Sequence, residues 1–254
     1  MTEEEMYFFD LYGYLVIRQA FSETVLEALN SAIDTHLKAE LESEKTSFRS
    51  SGRVAWGGFE NEIIANPAVL PQLKTMLGKR PRLDHDYIDV IKGGLGPIGA
   101  TLHGGGTPHD PSQHYTFRDG KMANGLVVVA YALKDVNPGD GGFACIPGSH
   151  KANFKLPTGW ADMSEKLNPC VIATPCKAGD AVLFTEGLTH GTLPWRGKDQ
   201  RRTLFLKYSP NFASFSSSYY DLNSFPNVDD ETRQMLEPPN ARYTGRGMKS
   251  SDYK

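Results

Sequence analysis

The stretch that decides the reading runs Gly179-Asp180-Ala181-Val182-Leu183-Phe184-Thr185-Glu186-Gly187-Leu188-Thr189-His190-Gly191-Thr192. It resumes, eleven residues after His190, at Arg201-Arg202-Thr203-Leu204-Phe205-Leu206-Lys207-Tyr208. Residues 180–185 form an apolar run of strand length, Thr185–Thr189 a tight turn, and His190 opens a second strand. Arg201 opens a third. An imidazole at a strand end can hold a metal. A guanidinium beside it can grip a carboxylate through two parallel hydrogen bonds. Strand alternation sends Arg201 and Arg202 to opposite faces, so at most one points inward. A surface ion pair is the ordinary role of either, and the spacing from His190 favours Arg201. Thr192 shares the strand face of His190 and adds a hydroxyl. The missing half of such a site is a histidine on an earlier strand, and Leu102-His103 supplies one.

Outward from this block, short strand-like runs recur at 87–92, 98–103, 126–133, 142–147, 170–174, 180–185, 189–193 and 202–208, punctuated by Gly, Pro, Asn and Asp. Before them the period is helical. Residues 22–43 place Val25, Leu29, Ala32, Ile33 and Leu37 on one face behind Ser22 as N-cap, and Asn66-Pro67 opens a second helix that stops near Gly78. A late helix is expected at 229–236, followed by a loose tail rich in Arg, Gly and Ser. Helices followed by about eight short strands predict a mainly β fold, a jelly-roll barrel with N-terminal helices on one side. The expected organisation is one domain over 1–254: a helical part to about 80, a barrel core from about 84 to 209, and an extension over 210–254.

Composition narrows the function class. A chain of 254 residues can bury a full core. The net charge of -3, with no basic stripe, gives no footprint for nucleic acid. No apolar stretch approaches the ~18 residues of a membrane span. The acidic start Thr2-Glu3-Glu4-Glu5 does not fit a secretory signal, and the end carries no lipidation motif. Cys145, Cys170 and Cys176 form no Cys-x-x-Cys pair, so reduced thiols and a cytoplasmic setting are expected. Among the other histidines, His36 sits in a helix, His85 begins a strand, His114 faces pocket or solvent, and His150 supports the turn Pro147-Gly148-Ser149-His150. The run Gly104-Gly105-Gly106 lacks the Lys and the strand-to-helix setting of a phosphate loop.

Three further segments carry a resemblance. They are Phe8-Phe9-Asp10-Leu11-Tyr12-Gly13-Tyr14-Leu15-Val16-Ile17, Leu126–Val136, and Gly141-Gly142-Phe143-Ala144-Cys145-Ile146-Pro147-Gly148-Ser149-His150-Lys151. Together with the Gly179–Tyr208 block, the chain resembles the phytanoyl-CoA dioxygenase family of Fe(II)/2-oxoglutarate oxygenases over nearly all of 7–209. The resemblance implies a double-stranded β-helix, with Fe(II), 2-oxoglutarate and O2 as cofactors and a small organic molecule as the substrate to be hydroxylated. It puts His103 and His190 in the places of the iron ligands. It puts Arg201 and Thr192 in the places that bind the far carboxylate of 2-oxoglutarate, and Tyr131 in the place of an aromatic residue beside that co-substrate. The aromatic residues Tyr115, Phe117, Trp195 and Tyr208 are expected near the mouth. No basic cluster argues for a CoA substrate.

One departure stands out. The family pattern is His-x-Asp, and here the third position is Gly105. Asp110 can complete a two-histidine, one-carboxylate triad by reaching across the glycines, and it is the expected third ligand. Glu186 is an alternative. A vacant position is another, since His103-Gly104-Gly105 also matches the His-x-Gly pattern of radical halogenases. A frame shifted to His109 is disfavoured, because adjacent strand residues point apart. A binding protein that has lost its iron is the non-enzymatic reading.

Overall fold

The computed structural model describes residues 1–56 and 58–240; the tail expected beyond the late helix lies, from 241 onward, outside the described residues. The chain opens with α1 (Glu3–Tyr12). Thr2 and Glu5 exchange side-chain-to-backbone hydrogen bonds in a capping box at its start. Gly13, at φ 81°, closes the helix in the left-handed region and leads into β1 (Tyr14–Ile17). Ser22 caps α2 (Glu23–His36) and accepts a hydrogen bond from the Val25 amide, and the face carrying Val25, Leu29 and Ile33 is buried. The helix expected over 22–43 is in fact two: Leu37 leaves helical geometry, and α3 (Lys38–Glu42) restarts the coil. There follow β2 (Ser47–Ser51), α4 (Glu60–Ile64) and α5 (Leu70–Leu77).

The strand region begins with β3 (Pro81–Ile91), longer than expected. Next come a hairpin of β4 (Tyr115–Arg118) and β5 (Lys121–Asn124), then β6 (Val127–Ala132), β7 (Gly142–Cys145) and the short β8 (Ile172–Ala173). The decisive block becomes β9 (Ala181–Thr185), β10 (His190–Leu193) and β11 (Arg201–Pro210), and α6 (Asp230–Met235) follows where a late helix is expected. The strand expected over 98–103 does not form. Gly99, at φ 80°, turns the chain, and only Thr101 and His103 make single bridges, to Asp162 and His190.

The protein is mainly β with helices. One antiparallel sheet has the order β1-β9-β6-β11-β3-β2, and a second has β10-β7-β8. Alternation divides the larger sheet cleanly. Val127, Val129 and Tyr131 of β6, Leu183 of β9, Ile88 and Val90 of β3, and Leu204, Leu206 and Tyr208 of β11 share one core with Leu29, Ile33, Ile63 and Leu73 of the helices. Each such aliphatic chain contributes about 1.5–3 kcal/mol by leaving water. The opposite face carries Val128, Ala130, Val182, Phe184 and Phe205, which pack on Phe143 and Cys145 of the smaller sheet. The candidate site opens from this second, inter-sheet layer.

Candidate active site

His190 and His103 are tied together before any metal is considered. Each donates its amide to the other's carbonyl at 2.9 Å, and their rings lie 4.2 Å apart. The Nδ1 of His190 is 2.7 Å from the carbonyl of Leu188; donating there fixes the tautomer and turns the lone pair of Nε2 toward the cavity. Burial pushes the pKa of His190 down to about 4 against the pull of Glu186, so the ring is neutral at physiological pH.

Glu186 joins them from the turn between β9 and β10. A ligand atom from each of His103, Glu186 and His190 lies within 4.8 Å of the other two, the geometry a single metal ion needs. The Glu186 side chain is buried, and Lys207 Nζ lies 3.0 and 3.1 Å from its two oxygens. Burial pushes its pKa up. The Lys207 ammonium, through its charge and its hydrogen bonds, outweighs that effect, and the carboxyl is held below its ordinary value, ionised.

The glycine run makes this assembly possible. Gly104, at φ 81°, passes so close to the β9–β10 turn that a Cβ would sit 2.4 Å from the Leu188 carbonyl oxygen and 2.9 Å from that of Glu186. Gly105, at φ 111°, donates its amide to the Gly187 carbonyl at 3.0 Å.

Asp110, expected to join the histidines, is not among the groups that meet. It is exposed, and its Oδ1 accepts from the Ser112 amide and hydroxyl at 2.8 and 2.6 Å, which hold its pKa down. It lines a separate cavity of about 200 Å³ with His109, His114 and His150. A short Asx turn holds the carboxylate locally, away from the histidines.

β11 settles which arginine faces in. Arg201, Thr203, Phe205 and Lys207 point between the sheets, whereas Arg202 points to α2, where it meets Asp34 and Asn30. Arg201 is 3% exposed, and its Nε and Nη1 find no hydrogen-bond partner among the described residues. Burial lowers its pKa. A cation kept in the interior with donor groups unspent is suited to a carboxylate ligand. Gly142 makes room beside it: a Cβ there would lie 3.4 Å from Arg201 Nε. Thr192 lines the same narrow cavity as His103 and His190, together with Arg49, Tyr87, Asp89, Phe143 and Lys207.

Tyr131 is a correction. It belongs to the helix-facing half of β6 and stacks on Phe21 at 4.1 Å, on the far side of the sheet from the histidines. The sequence run 126–133 is apolar on both faces, so composition gave no parity, and only the register against β11 assigns the side. The aromatics expected at the mouth are also elsewhere. Tyr208 is buried against the helices, donating to the Ile64 carbonyl at 2.9 Å. Trp195 packs on Ile91 and Val136. Tyr115 meets Asp10, and Phe117 lies exposed on the β4–β5 hairpin. The residues that sequence reasoning missed are Arg49, Tyr87 and Lys207. Lys207 was within reach, since it sits six residues after Arg201 and therefore on the same strand face.

With the geometry in place, comparison with known proteins adds the following. Residues 97–203 match the family model described as phytanoyl-CoA dioxygenase, a segment that contains both histidines, Glu186 and Arg201. The protein HygX from Streptomyces hygroscopicus, with nickel and 2-oxoglutarate bound, is 25% identical with a TM-score of 0.74, over 84% of this chain and 89% of that one. With iron bound, HygX gives 26% identity and a TM-score of 0.69 over 84% and 88%. A third HygX structure, with nickel, 2-oxoglutarate and hygromycin B, gives 24% and 0.70 over 84% and 89%, a likeness of fold. Comparison with curated proteins gives no match. The match over 97–203 and the likeness to HygX mark the chain as a non-haem iron oxygenase that depends on 2-oxoglutarate, with a segment similar to phytanoyl-CoA dioxygenase.

Proposed function

We propose that the protein hydroxylates a small organic molecule, with Fe(II) held by His103, Glu186 and His190 and 2-oxoglutarate anchored by Arg201. The observation that carries this is the meeting of two histidines and one carboxylate within 4.8 Å, beside the inter-sheet layer into which the unspent guanidinium of Arg201 also points. Such a ligand set, with positions left open, is the usual donor set of non-haem iron oxygenases. Glu186 replaces Asp110 as our third ligand. A carboxylate in that role also removes the ground for the vacant, halogenase-like reading of Gly105. The two facing sheets are read as a double-stranded β-helix. A cytoplasmic, single-domain enzyme without a nucleic-acid or membrane partner remains our reading; no helix among the described residues is long and apolar enough to cross a membrane.

Iron and 2-oxoglutarate, when bound, supply the activation of O2 and the transfer of one oxygen atom to carbon, with succinate and CO2 as co-products. The chain's own residues bind, orient and exclude water. Arg201 fixes the far carboxylate, with Thr192 at the wall of the cavity. Neutral His190 offers Nε2 because its other nitrogen is spent on Leu188. Lys207 keeps Glu186 ionised and holds it in place. Phe143, Phe184 and Phe205 close the inner wall and keep the interior dry.

The decisive test is a pair of variants. Glu186→Ala should abolish high-affinity Fe(II) binding, measured by calorimetry under anaerobic conditions, and with it the iron-dependent formation of succinate. Asp110→Ala should leave both near wild type. The reverse order returns the third place to Asp110, and two unaffected variants point to a vacant one.

A further inference from the structure

The depth axis of the site can be read along β11 and β3. Arg201 pairs with Ile91 at one end, Phe205 with Tyr87 in the middle, and Lys207 with His85 toward the other end. From Arg201 to Lys207 is six residues, about 20 Å of strand. The proposed co-substrate anchor thus lies at one end of the inter-sheet layer and His85 at the other. There the structure has a cleft of about 600 Å³, within the range of small-molecule sites, lined by Ser51, His85, Phe215 and the run Ser216–Tyr220.

An aromatic ladder joins the two. The rings of Phe205 and Tyr87 lie 4.9 Å apart, those of Tyr87 and His85 6.3 Å, and those of His85 and Phe215 5.9 Å, with successive planes within 25° of one another. The ladder starts in the inter-sheet layer and ends on Phe215, half exposed in the cleft.

The charges around the cleft are all committed within the protein. Asp84 accepts from Arg82, from the Phe215 and Ser216 amides, and from or beside His85 Nδ1. Asp86 accepts from the Tyr220 hydroxyl and the Arg53 amide. Arg49 grips Asp89 at 2.7 and 2.8 Å, and Lys207 is on Glu186. Among the described residues, no lysine or arginine lines the cleft to receive a phosphate or a CoA tail. What the walls offer is ring faces and hydroxyl groups, the chemistry that receives a neutral ring with apolar faces and a polar rim.

We propose that this cleft is the primary-substrate subsite and that it selects neutral, polyhydroxylated ring compounds, carbohydrate- or cyclitol-like, over acyl-CoA or phosphorylated substrates. The proposal rests on the iron and 2-oxoglutarate reading for its chemistry, but binding at the cleft is measurable without it. Saturation-transfer NMR on the full chain, metal-free and loaded with Zn(II) and 2-oxoglutarate, tests it. The probes are methyl β-glucopyranoside and myo-inositol against coenzyme A and glucose 6-phosphate. Transfer to the ring protons of the two neutral probes is expected, and none to the anionic ones. Phe215→Ala should weaken the neutral probes roughly fivefold, the worth of one ring contact. Ser217→Tyr, which fills the cleft from an exposed position, should do at least as much. Neither should change the melting temperature or succinate formation without substrate. Transfer to the anionic probes, silence from the neutral ones, or neutral-probe signals indifferent to both variants would overturn the proposal. A protein that binds these probes but makes no succinate sinks the iron reading and leaves the subsite standing.

Discussion

Arg201 and Arg202 share a peptide bond and have opposite employment. Arg202 is engaged with α2, and Arg201 is buried with two donor nitrogens unspent. Arg201→Ala should raise the KM for 2-oxoglutarate on the order of tenfold to a hundredfold, the equivalent of about 1.5–3 kcal/mol for a hydrogen bond to a charge, as read by steady-state succinate formation. Arg202→Ala should instead lower the melting temperature and leave that KM alone. His150 gives a prediction in pH. Its side chain is buried beside Asp10 and Tyr115 with Nδ1 unpartnered, and burial holds its pKa down to about 4. Between about 6.5 and 4 the unfolded chain takes up a proton that the folded one refuses. The stability this residue confers is thus complete above that window and lost as pH falls through it. Compared with His150→Gln, wild type should lose up to about 2 kcal/mol more between pH 7 and 5, measured by urea unfolding; parallel curves would show that the ring titrates freely in the fold.

At the scale of elements, the β9–β10 turn and the glycine segment 104–106 form one device, since neither reaches its position without the other. Gly104→Ala puts a methyl against two carbonyl oxygens at a positive φ. The expected outcome is a loss of about 1–3 kcal/mol in stability together with weaker Fe(II) binding; an unchanged variant would mean that the loop can retreat without disturbing the site. Elements differed in how far the sequence disclosed them. β9, β10 and β11 carry strong apolar runs and fall where expected. β2, with the sequence Ser47-Phe48-Arg49-Ser50-Ser51, is an edge strand with one buried apolar residue and leaves no such trace, although it brings Arg49 to the cavity. Tyr131 shows the same limit from the other side. In a strand buried on both faces the pattern cannot say which residue looks inward, because period-2 contrast is absent.

Over the whole molecule, the residue types and spacing pointed to His103 and His190, and the structure brings these two together. Which carboxylate meets them was not legible. Asp110 is seven residues from His103 and Glu186 four from His190, and only tertiary contacts distinguish a carboxylate held in a local Asx turn from one held by Lys207 beside the histidines. A folded protein that binds metal and co-substrate should gain stability by mass action. Ni(II) and then 2-oxoglutarate, each at a hundred times its dissociation constant, should each add about 2.7 kcal/mol and shift the melting temperature upward in wild type, with the 2-oxoglutarate increment missing in Arg201→Ala. The partition of β11 also bears on how such an enzyme can change. Alternate residues of one strand face two layers, the helix-side core through Leu204, Leu206 and Tyr208 and the inter-sheet layer of the proposed site through Arg201, Phe205 and Lys207. Point substitutions can therefore retune catalysis while the fold stands still. An insertion or deletion of one residue exchanges the two sets at once, driving arginine and lysine into the hydrocarbon layer and leucines into the reaction chamber. Length in this strand is thus forbidden ground for variation, and new specificity must be sought by substitution there or by remodelling the loops at the rim.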